Sequence, residues 1–144
     1  MNTVDERIFD ALRRRVAGET FGKTLCLEVV ALNTRYAKVE ATFPVSARNI
    51  FGTVHGGAIF SLIDEAFGCA ANSHGTVAVA LNVDVTYHSP AREGHRLTAE
   101  AREVHRSRKI GTYYITVTDE DDTLVATCQA IAFRKAEPLP FLDG

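Results

Sequence analysis

The run from Gly56 to Asn72 constrains the fold of this chain more than any other feature. Its sequence, GGAIFSLIDEAFGCAAN, is rich in Ala, Leu, Ile and Phe, lacks Val and Thr, and holds only two charged residues. That composition is typical of a helix buried on most of its sides. The chain has 144 residues, of which 46% are hydrophobic, and this predicts one compact domain over 1–144. The rest of that domain must therefore cover the helix.

The segments on both sides of this helix have the composition of β-strands. Two such runs precede it, separated by a turn at Asn33-Thr34-Arg35, and four follow it. The predicted strands are 24–32, 36–43, 77–88, 97–105, 111–119 and 123–134. Four strands in succession indicate an antiparallel sheet. One sheet wrapped around one helix is the simplest way to bury that helix, so the predicted class is α+β.

The ends of the chain and the segment before the helix complete the prediction. Apolar residues recur every four positions in 4–16, with acidic residues early and arginines late, which predicts a short amphipathic helix. Residues 44–54 hold Pro, Ser, Arg and Asn and predict a loop. The tail 136–144 contains Pro138 and Pro140, and we expect it to be irregular and peripheral.

Charge and cysteine content exclude several classes of protein. Sixteen Lys and Arg against eighteen Asp and Glu give a net charge of -2. This balance lacks the positive field that nucleic-acid binding requires. Three cysteines at scattered spacing, and no secretion signal or membrane-length apolar run, predict a soluble protein of the reduced cytoplasm.

The start of the central helix is a candidate binding site. His55 precedes the doublet Gly56-Gly57, and the first N–H groups of a helix have no partner within that helix. Free amides at a positive helix end suit an anion or an oxyanion. The alternative is that the glycines only allow close packing against the sheet. No Ser, Thr, Asp or Asn directly precedes Gly56, although Thr53 could cap the helix from slightly upstream.

Asp64 is the second candidate, because an ionised carboxylate in an apolar helix is costly unless it is solvated or paired. Asp64 could instead belong to a polar stripe at helical spacing, formed by Ser61, Asp64, Glu65, Gly68 and Asn72. Eight residues place the Gly56 amide roughly 12 Å from Asp64 along one helix. One chain therefore cannot bring both groups to one carbonyl. Two antiparallel helices across a twofold axis can, so cooperation between these groups predicts a dimer.

Together these residues resemble the hotdog-fold acyl-CoA thioesterases of the phenylacetic-acid-degradation type. The resemblance rests on Asn49, on His55-Gly56-Gly57 and on Asp64 within the helix. It extends to the strand ending at 83–90 and to the Arg-rich turn before Gly111-Thr112-Tyr113. It implies a six-stranded antiparallel sheet around the long helix. It also implies a homodimer with a continuous sheet, often paired into a homotetramer.

The same resemblance implies a role for each site residue. The Gly56 amide and the Asn49 side chain would hold the oxyanion, and Asp64 of the facing chain would be general base or nucleophile. Asn82 occupies the place where relatives often carry a water-orienting hydroxyl residue. Further substrate-binding positions are expected at His55, Gly57, Phe60, Arg106 and Arg108, with Phe51 and Ile63 as additional apolar lining. The expected substrate is an aryl- or medium-chain acyl-CoA, with no metal or redox cofactor.

Several alternatives stay open at this level. The basic residues around Arg106 and Arg108 form either a solvated turn or a contact for the phosphates of coenzyme A. One alternative is a non-catalytic acyl-CoA-binding or regulatory module of the same fold, which has no need of Asp64. Another is a hydratase or dehydratase, which would need a histidine where the helix has Asp64. No second histidine stands at helical spacing from His55, which disfavours a metal site. Cys69 lies in an apolar run, which disfavours a nucleophilic thiol.

Overall fold

The fold is one antiparallel sheet that curves around one long helix. The computed structural model describes residues 3–143. Its elements are α1 (Val4–Ala17), α2 (Thr20–Thr24), β1 (Glu28–Asn33), β2 (Tyr36–Ala41), a short 3₁₀ turn (Val45–Ala47), α3 (Gly56–Asn72), β3 (Thr76–Tyr87), β4 (Leu97–Arg106), β5 (Ile110–Asp119) and β6 (Leu124–Pro138). This architecture confirms the predicted α+β hotdog arrangement. No helix within residues 3–143 is long and apolar enough to cross a membrane.

The six strands lie in the order β1-β2-β4-β5-β6-β3, and all neighbours are antiparallel. Among the described residues, β1 and β3 are therefore the two edges of the sheet. Strand β3 follows α3 directly but pairs with β6, so one side of α3 lies next to the open edge of the sheet. A cleft between α3 and β3 results, and it is described below.

Helix α3 forms the centre of the core because its apolar residues contact the inner face of the sheet. Leu62, Ile63 and Ala66 are fully buried, and Phe67 packs edge-to-face on Tyr113 of β5 with ring centroids 5.4 Å apart. Alternate residues of β4, β5 and β6 point at the helix, as the pleat of a strand requires. Helix α3 begins and ends at the residues that its composition predicts.

The first predicted strand, 24–32, is wrong in its first half. Thr20–Thr24 forms the short helix α2, and the strand starts only at Glu28. Cys26 between them has φ 62°, and Leu27 donates its amide to the Gly22 carbonyl at 2.9 Å. This turn reverses the chain so that buried Gly22 packs against α3. The apolar run Leu25, Cys26 and Leu27 gave no indication of that turn.

The tail 136–144 is more ordered than predicted. Strand β6 continues to Pro138, since the start of β3 offers it a partner. Beyond it, Leu139 donates its amide to the Gly75 carbonyl at 3.0 Å and is buried. Arg15 of α1 stacks over the Phe141 ring at 5.5 Å. The end of the chain therefore holds α1 against the rest of the domain.

Candidate active site

Asn49 organises the loop before α3. Its Oδ1 accepts the amides of Phe51 and Thr53 at 2.9 and 3.1 Å, and its Nδ2 donates to the Thr53 hydroxyl at 2.9 Å. The two backbone donors fix the orientation of the side-chain amide. One Nδ2 hydrogen is left over for a ligand. Asn49 thus shapes the loop and retains one donor for the oxyanion role expected of it.

The first turn of α3 presents one free amide. The N-cap is His55, whose Nδ1 accepts the Gly57 amide at 2.8 Å, so Thr53 does not cap the helix. With the Gly57 amide engaged, that residue has no N–H to offer a ligand. No residue within 3–143 accepts a hydrogen bond from the Gly56 N–H. Of the two glycines, Gly56 therefore carries the free donor.

Tyr87 fixes this end of the helix from the sheet side. Its hydroxyl donates to the Gly56 carbonyl at 2.9 Å, and a Cβ on Gly56 would lie 3.5 Å from the tyrosine ring. A methyl group at Gly56 would thus make ordinary van der Waals contact with the ring, and the glycine leaves that small space open. The sequence analysis did not single out Tyr87, although this residue lies near the end of the predicted strand 77–88.

Asp64 faces a cleft of about 700 Å³ between α3 and β3. The cleft is lined by α2 and the residue before it, by one side of α3 and by the first half of β3; its residues are Glu19, Phe21, Phe60, Ser61, Asp64, Glu65, Phe67, Gly68, Ala71, Ala78, Val79 and Ala80. Asp64 is exposed in the isolated chain, and Phe60 is 38% exposed beside it. Ile63 points into the core and is fully buried, so the expectation that it lines the pocket is wrong.

Two further carboxylates share this cleft with Asp64. Shielding from solvent, and then the charge of Glu19, raise the pKa of the Asp64 carboxyl. Burial, together with a hydrogen bond to Glu19, raises the pKa of Glu65 to about 8. Glu65 is therefore mostly protonated at neutral pH and is hydrogen-bonded to Glu19. The sequence analysis named Glu65 only as a member of the polar stripe that includes Asp64. It did not identify Glu19, because this residue precedes α2, a helix that was not predicted.

The loop and helix-start residues line a different cleft, of about 520 Å³. Asn49, Phe51, Gly56 and Tyr87 border it, and it has no lining residue in common with the cleft of Asp64. Phe51 is 83% exposed at its rim. One chain thus holds the two predicted halves of the site on separate surfaces, in keeping with their separation along α3.

Asn82 lies on the wrong face of the sheet for the role expected of it. It pairs with Ile131 beyond a bulge at Ala80/Asn82, whereas Val83 pairs with Ala130, which faces α3. Residues paired directly across a ladder share one face, so Asn82 points away from the helix. Ala80 lines the cleft of Asp64 instead and has no hydroxyl. The bulge shifts the alternation by one residue, which the sequence pattern did not reveal.

The two arginines expected at coenzyme A have different surroundings. Arg106 Nη1 lies 2.7 Å from His74 Nδ1, and His74 Nε2 lies 2.7 Å from a carboxylate oxygen of Glu103. Burial lowers the pKa of His74, so this imidazole is neutral and accepts from Arg106. Arg108 is exposed, and its guanidinium makes no ion pair within residues 3–143. Arg108 is the freer of the two to bind a phosphate.

Glu103 anchors this basic turn from inside the protein. Its side chain is fully buried and is hydrogen-bonded by Arg35, by His74 and, at 3.0 Å, by the Tyr113 hydroxyl. Burial alone would raise the pKa of Glu103, but these donors outweigh it and lower the pKa. The turn is thus a built ion-pair network rather than only a solvated loop.

Thiol and metal chemistry find little support at the clefts. Cys69 is buried, and burial raises the pKa of its thiol far above neutrality. Among the described residues, His95, Asp119 and Asp121 have ligand atoms within 4.8 Å of one another, but they line neither cleft. The absence of a metal from the active site stays a prediction.

Comparison with known proteins agrees with this geometry. The model of the thioesterase superfamily matches residues 51–126, just over half of the chain. A putative esterase of Archaeoglobus fulgidus is 39% identical over 78% of this chain and 73% of its own length. The acyl-coenzyme A thioesterase PaaI of Escherichia coli is 33% identical over 78% and 80%.

Solved structures show the same likeness. The Escherichia coli PaaI structure superposes with a TM-score of 0.89 at 26% identity, covering 94% of this chain and 99% of that one. A Streptococcus mutans protein, smu.793, solved with acetyl-CoA bound, gives a TM-score of 0.75 at 26% identity over 78% and 91%. The likeness therefore extends over most of the fold.

Proposed function

Since the chain belongs to the thioesterase superfamily and is a thioester hydrolase of the hotdog fold, we propose that it hydrolyses acyl-CoA at a site formed by two copies of the chain. The observation that carries the proposal is the pairing of a free helix-start amide at Gly56 with a carboxylate at Asp64, each open to solvent on its own cleft. Neither group makes a hydrogen bond or an ion pair with another residue of the described range 3–143.

In the proposed reaction the Gly56 N–H, helped by the remaining Asn49 hydrogen, donates a hydrogen bond to the thioester oxygen. Asp64 of the facing chain takes a proton from water as the water oxygen attacks the carbonyl carbon. The oxyanion that forms is stabilised by the amide and the positive helix end. Its collapse breaks the C–S bond, and the protonated Asp64 returns the proton to the leaving thiolate. The carboxylic acid loses its remaining proton to solvent, so the products are a carboxylate, a proton and free coenzyme A.

Assembly is part of this proposal. Strand β3 is an open edge, and Val79 and Leu81 on it are 44% and 58% exposed. Apolar residues on an unpaired edge favour pairing with another strand. Two β3 strands paired across a twofold axis would bring the α3 helices of both chains together, antiparallel, so that Gly56 of one chain approaches Asp64 of the other. We propose a homodimer as the minimal active unit, with a homotetramer as a further stage.

The surroundings of the clefts suggest the substrate. Phe51 and Phe60 offer apolar surface for an aryl- or medium-chain acyl group, in keeping with the similarity to the phenylacetic-acid-degradation thioesterase. We propose that the exposed guanidinium of Arg108 binds the phosphates of coenzyme A. Three unpaired cysteines, two of them buried, support a cytoplasmic location.

The test is thiol release from phenylacetyl-, hydroxybenzoyl-, hexanoyl- and palmitoyl-CoA. We expect Asp64→Asn to lower turnover by a factor on the order of a hundred or more, because it removes the base without making a cavity. Asp121→Asn, in an exposed turn away from both clefts, is the matched control and should keep its activity. Equal activity in Asp64→Asn would exclude the assigned role. A folded wild-type protein that binds but does not cleave these esters would be a binding module instead.

A further inference from the structure

A further cavity of about 350 Å³ lies beside the cleft of Asp64. Helix α1, the face of α3 turned toward it and the segment after β6 border it, and it is partly open to solvent; its residues are Leu12, Arg15, Val16, Glu19, Glu65, Gly68, Cys69, Asn72, Val77, Leu139, Pro140 and Phe141. Most of these side chains are apolar. We call it the inner chamber.

The inner chamber and the cleft of Asp64 are adjacent. Glu19, Glu65 and Gly68 line both of them. Gly68 leaves the space between them open, because a Cβ built on it would meet no atom within 4 Å. A glycine in the middle of a helix is a poor helix former, so its presence there is best explained by the space it leaves. The two cavities thus communicate across Gly68.

The walls of the inner chamber are fixed in place. Asn72 donates to the Gly68 and Ala78 carbonyls at 2.9 and 3.1 Å, which ties α3 to the start of β3. On the opposite side, Leu139 is buried and bonded to Gly75, and Phe141 stacks under Arg15. A chamber held by both ends of the chain is a preformed cavity, as small-molecule pockets usually are.

The polar residues at the passage do not close it to an apolar chain. Glu19 and Glu65 are hydrogen-bonded to each other there, and burial with that bond raises the pKa of Glu65 to about 8. At neutral pH the pair therefore carries one charge fewer than two glutamates would. Because Glu65 is hydrogen-bonded to Glu19, its carboxyl group can lie beside an acyl chain without adding an unpaired charge to the passage.

We propose that Gly68 is a specificity-determining residue, and that the acyl chain of the substrate runs from the carbonyl at Asp64 past Gly68 into the inner chamber. This inference rests on the proposed thioesterase function and narrows its substrate class. Asp64 and Gly68 are one helical turn apart, about 6 Å along α3. Short acyl groups end before the passage, whereas medium-chain acyl groups pass it and bury their ends among Leu12, Val16 and Phe141.

The test compares kcat/KM for butyryl-, hexanoyl-, decanoyl- and lauroyl-CoA. In the wild-type protein this parameter should rise with acyl length until the chain fills the inner chamber. Gly68→Leu blocks the passage and replaces glycine with a better helix former, so the helix itself should be retained. We expect it to reduce the ratio of decanoyl to butyryl turnover at least about tenfold, the effect of losing a few buried methylene groups.

A second variant fills the inner chamber from α1. Val16→Phe should lower the same ratio, while Ala17→Phe adds the same side chain at an exposed neighbour that lines neither cavity and should leave the ratio unchanged. Gly68→Ala, a smaller obstruction, should fall between the wild type and Gly68→Leu.

The outcomes separate the two proposals. Two results would overturn the role of Gly68 and leave the thioesterase proposal intact. In the first, turnover depends on Asp64 but kcat/KM does not rise with acyl length. In the second, neither Gly68→Leu nor Val16→Phe changes the ratio of decanoyl to butyryl turnover. A third result would also overturn the role of Gly68: Gly68→Leu loses all turnover and falls to the mass of a monomer, while Val16→Phe has no effect. Gly68 would then belong to the subunit interface. No turnover of any ester by the wild-type protein overturns both.

Discussion

At the scale of single residues, the site depends on which donors and carboxylates are already occupied. The Gly57 amide is taken by His55, and most of the bonding capacity of Asn49 is taken by its own loop, whereas within residues 3–143 the Gly56 N–H and the Asp64 carboxyl have no hydrogen-bond partner. Sequence spacing predicted the two free groups. It could not predict the occupied ones, since the bonds that engage them depend on the backbone path of the loop.

Glu65 gives a residue-scale prediction about stability and pH. Its native pKa of about 8 lies above its ordinary value of 4.5, so between these values the folded chain holds a proton that the unfolded chain has lost. The free energy of unfolding therefore falls as pH rises through this window. Glu65→Gln mimics the protonated form, and we expect it to be more stable than the wild type at about pH 8.5, with little difference at about pH 5. Because solvent screens this partly exposed carboxyl, we expect a difference on the order of 1–2 kcal/mol, well below the full linkage value.

Urea unfolding at the two pH values measures this difference. Glu137→Gln, which removes an exposed glutamate that lines neither cleft nor chamber, corrects for the loss of a surface carboxylate. A stability difference between Glu65→Gln and the wild type that is the same at both pH values would show that Glu65 does not hold the proton assigned to it.

The predicted position of Asn82 shows where residue-level reasoning failed. A strand that alternates regularly would place Asn82 and Ala80 on one face. The bulge between them inserts one residue, so Ala80 stays on the side of Asp64 and Asn82 points outward. Composition does not encode such a bulge, because it arises from how β3 and β6 fit together.

At the scale of elements, α3 and the N-terminal helix α1 were predictable from the sequence, whereas α2 and the C-terminal extension of β6 were not. An apolar run with two charged residues specifies a buried helix on its own. The short helix α2 and the extension of β6 depend on contacts with other elements, with α3 and with β3 respectively. The segment that follows the β6 extension also lines the inner chamber, and for that reason the sequence analysis gave no sign of this cavity.

The cap of α3 gives an element-scale prediction. His55→Ala removes the acceptor of the Gly57 amide and should lower the free energy of unfolding by about 1 kcal/mol, the usual cost of a lost N-cap. His55→Asn supplies a side-chain acceptor again and should recover most of that loss. Urea unfolding of the three proteins tests this. If His55→Asn is as unstable as His55→Ala, the histidine is not acting as a cap.

At the scale of the whole molecule, the account turns on a site that one chain leaves incomplete. The cleft of Asp64 and the cleft of Gly56 are separate surfaces of one chain, and β3 offers an open edge beside one of them. The rise per residue of an α-helix is enough to predict this separation from the sequence. The way in which two chains meet is not encoded in any local pattern, so the dimer stays a proposal.

The most direct test mixes two inactive proteins. Asn49→Ala removes the side chain that shapes the loop half of the site, and Asp64→Asn removes the base. A mixed dimer contains one site with both wild-type halves, so thiol release should reappear after subunit exchange. With equal mixing, recovery approaches about one quarter of wild-type activity, because half of the dimers are mixed and each has one intact site. Confirmed exchange, measured by native mass spectrometry, with no recovered turnover would contradict a site shared between two chains.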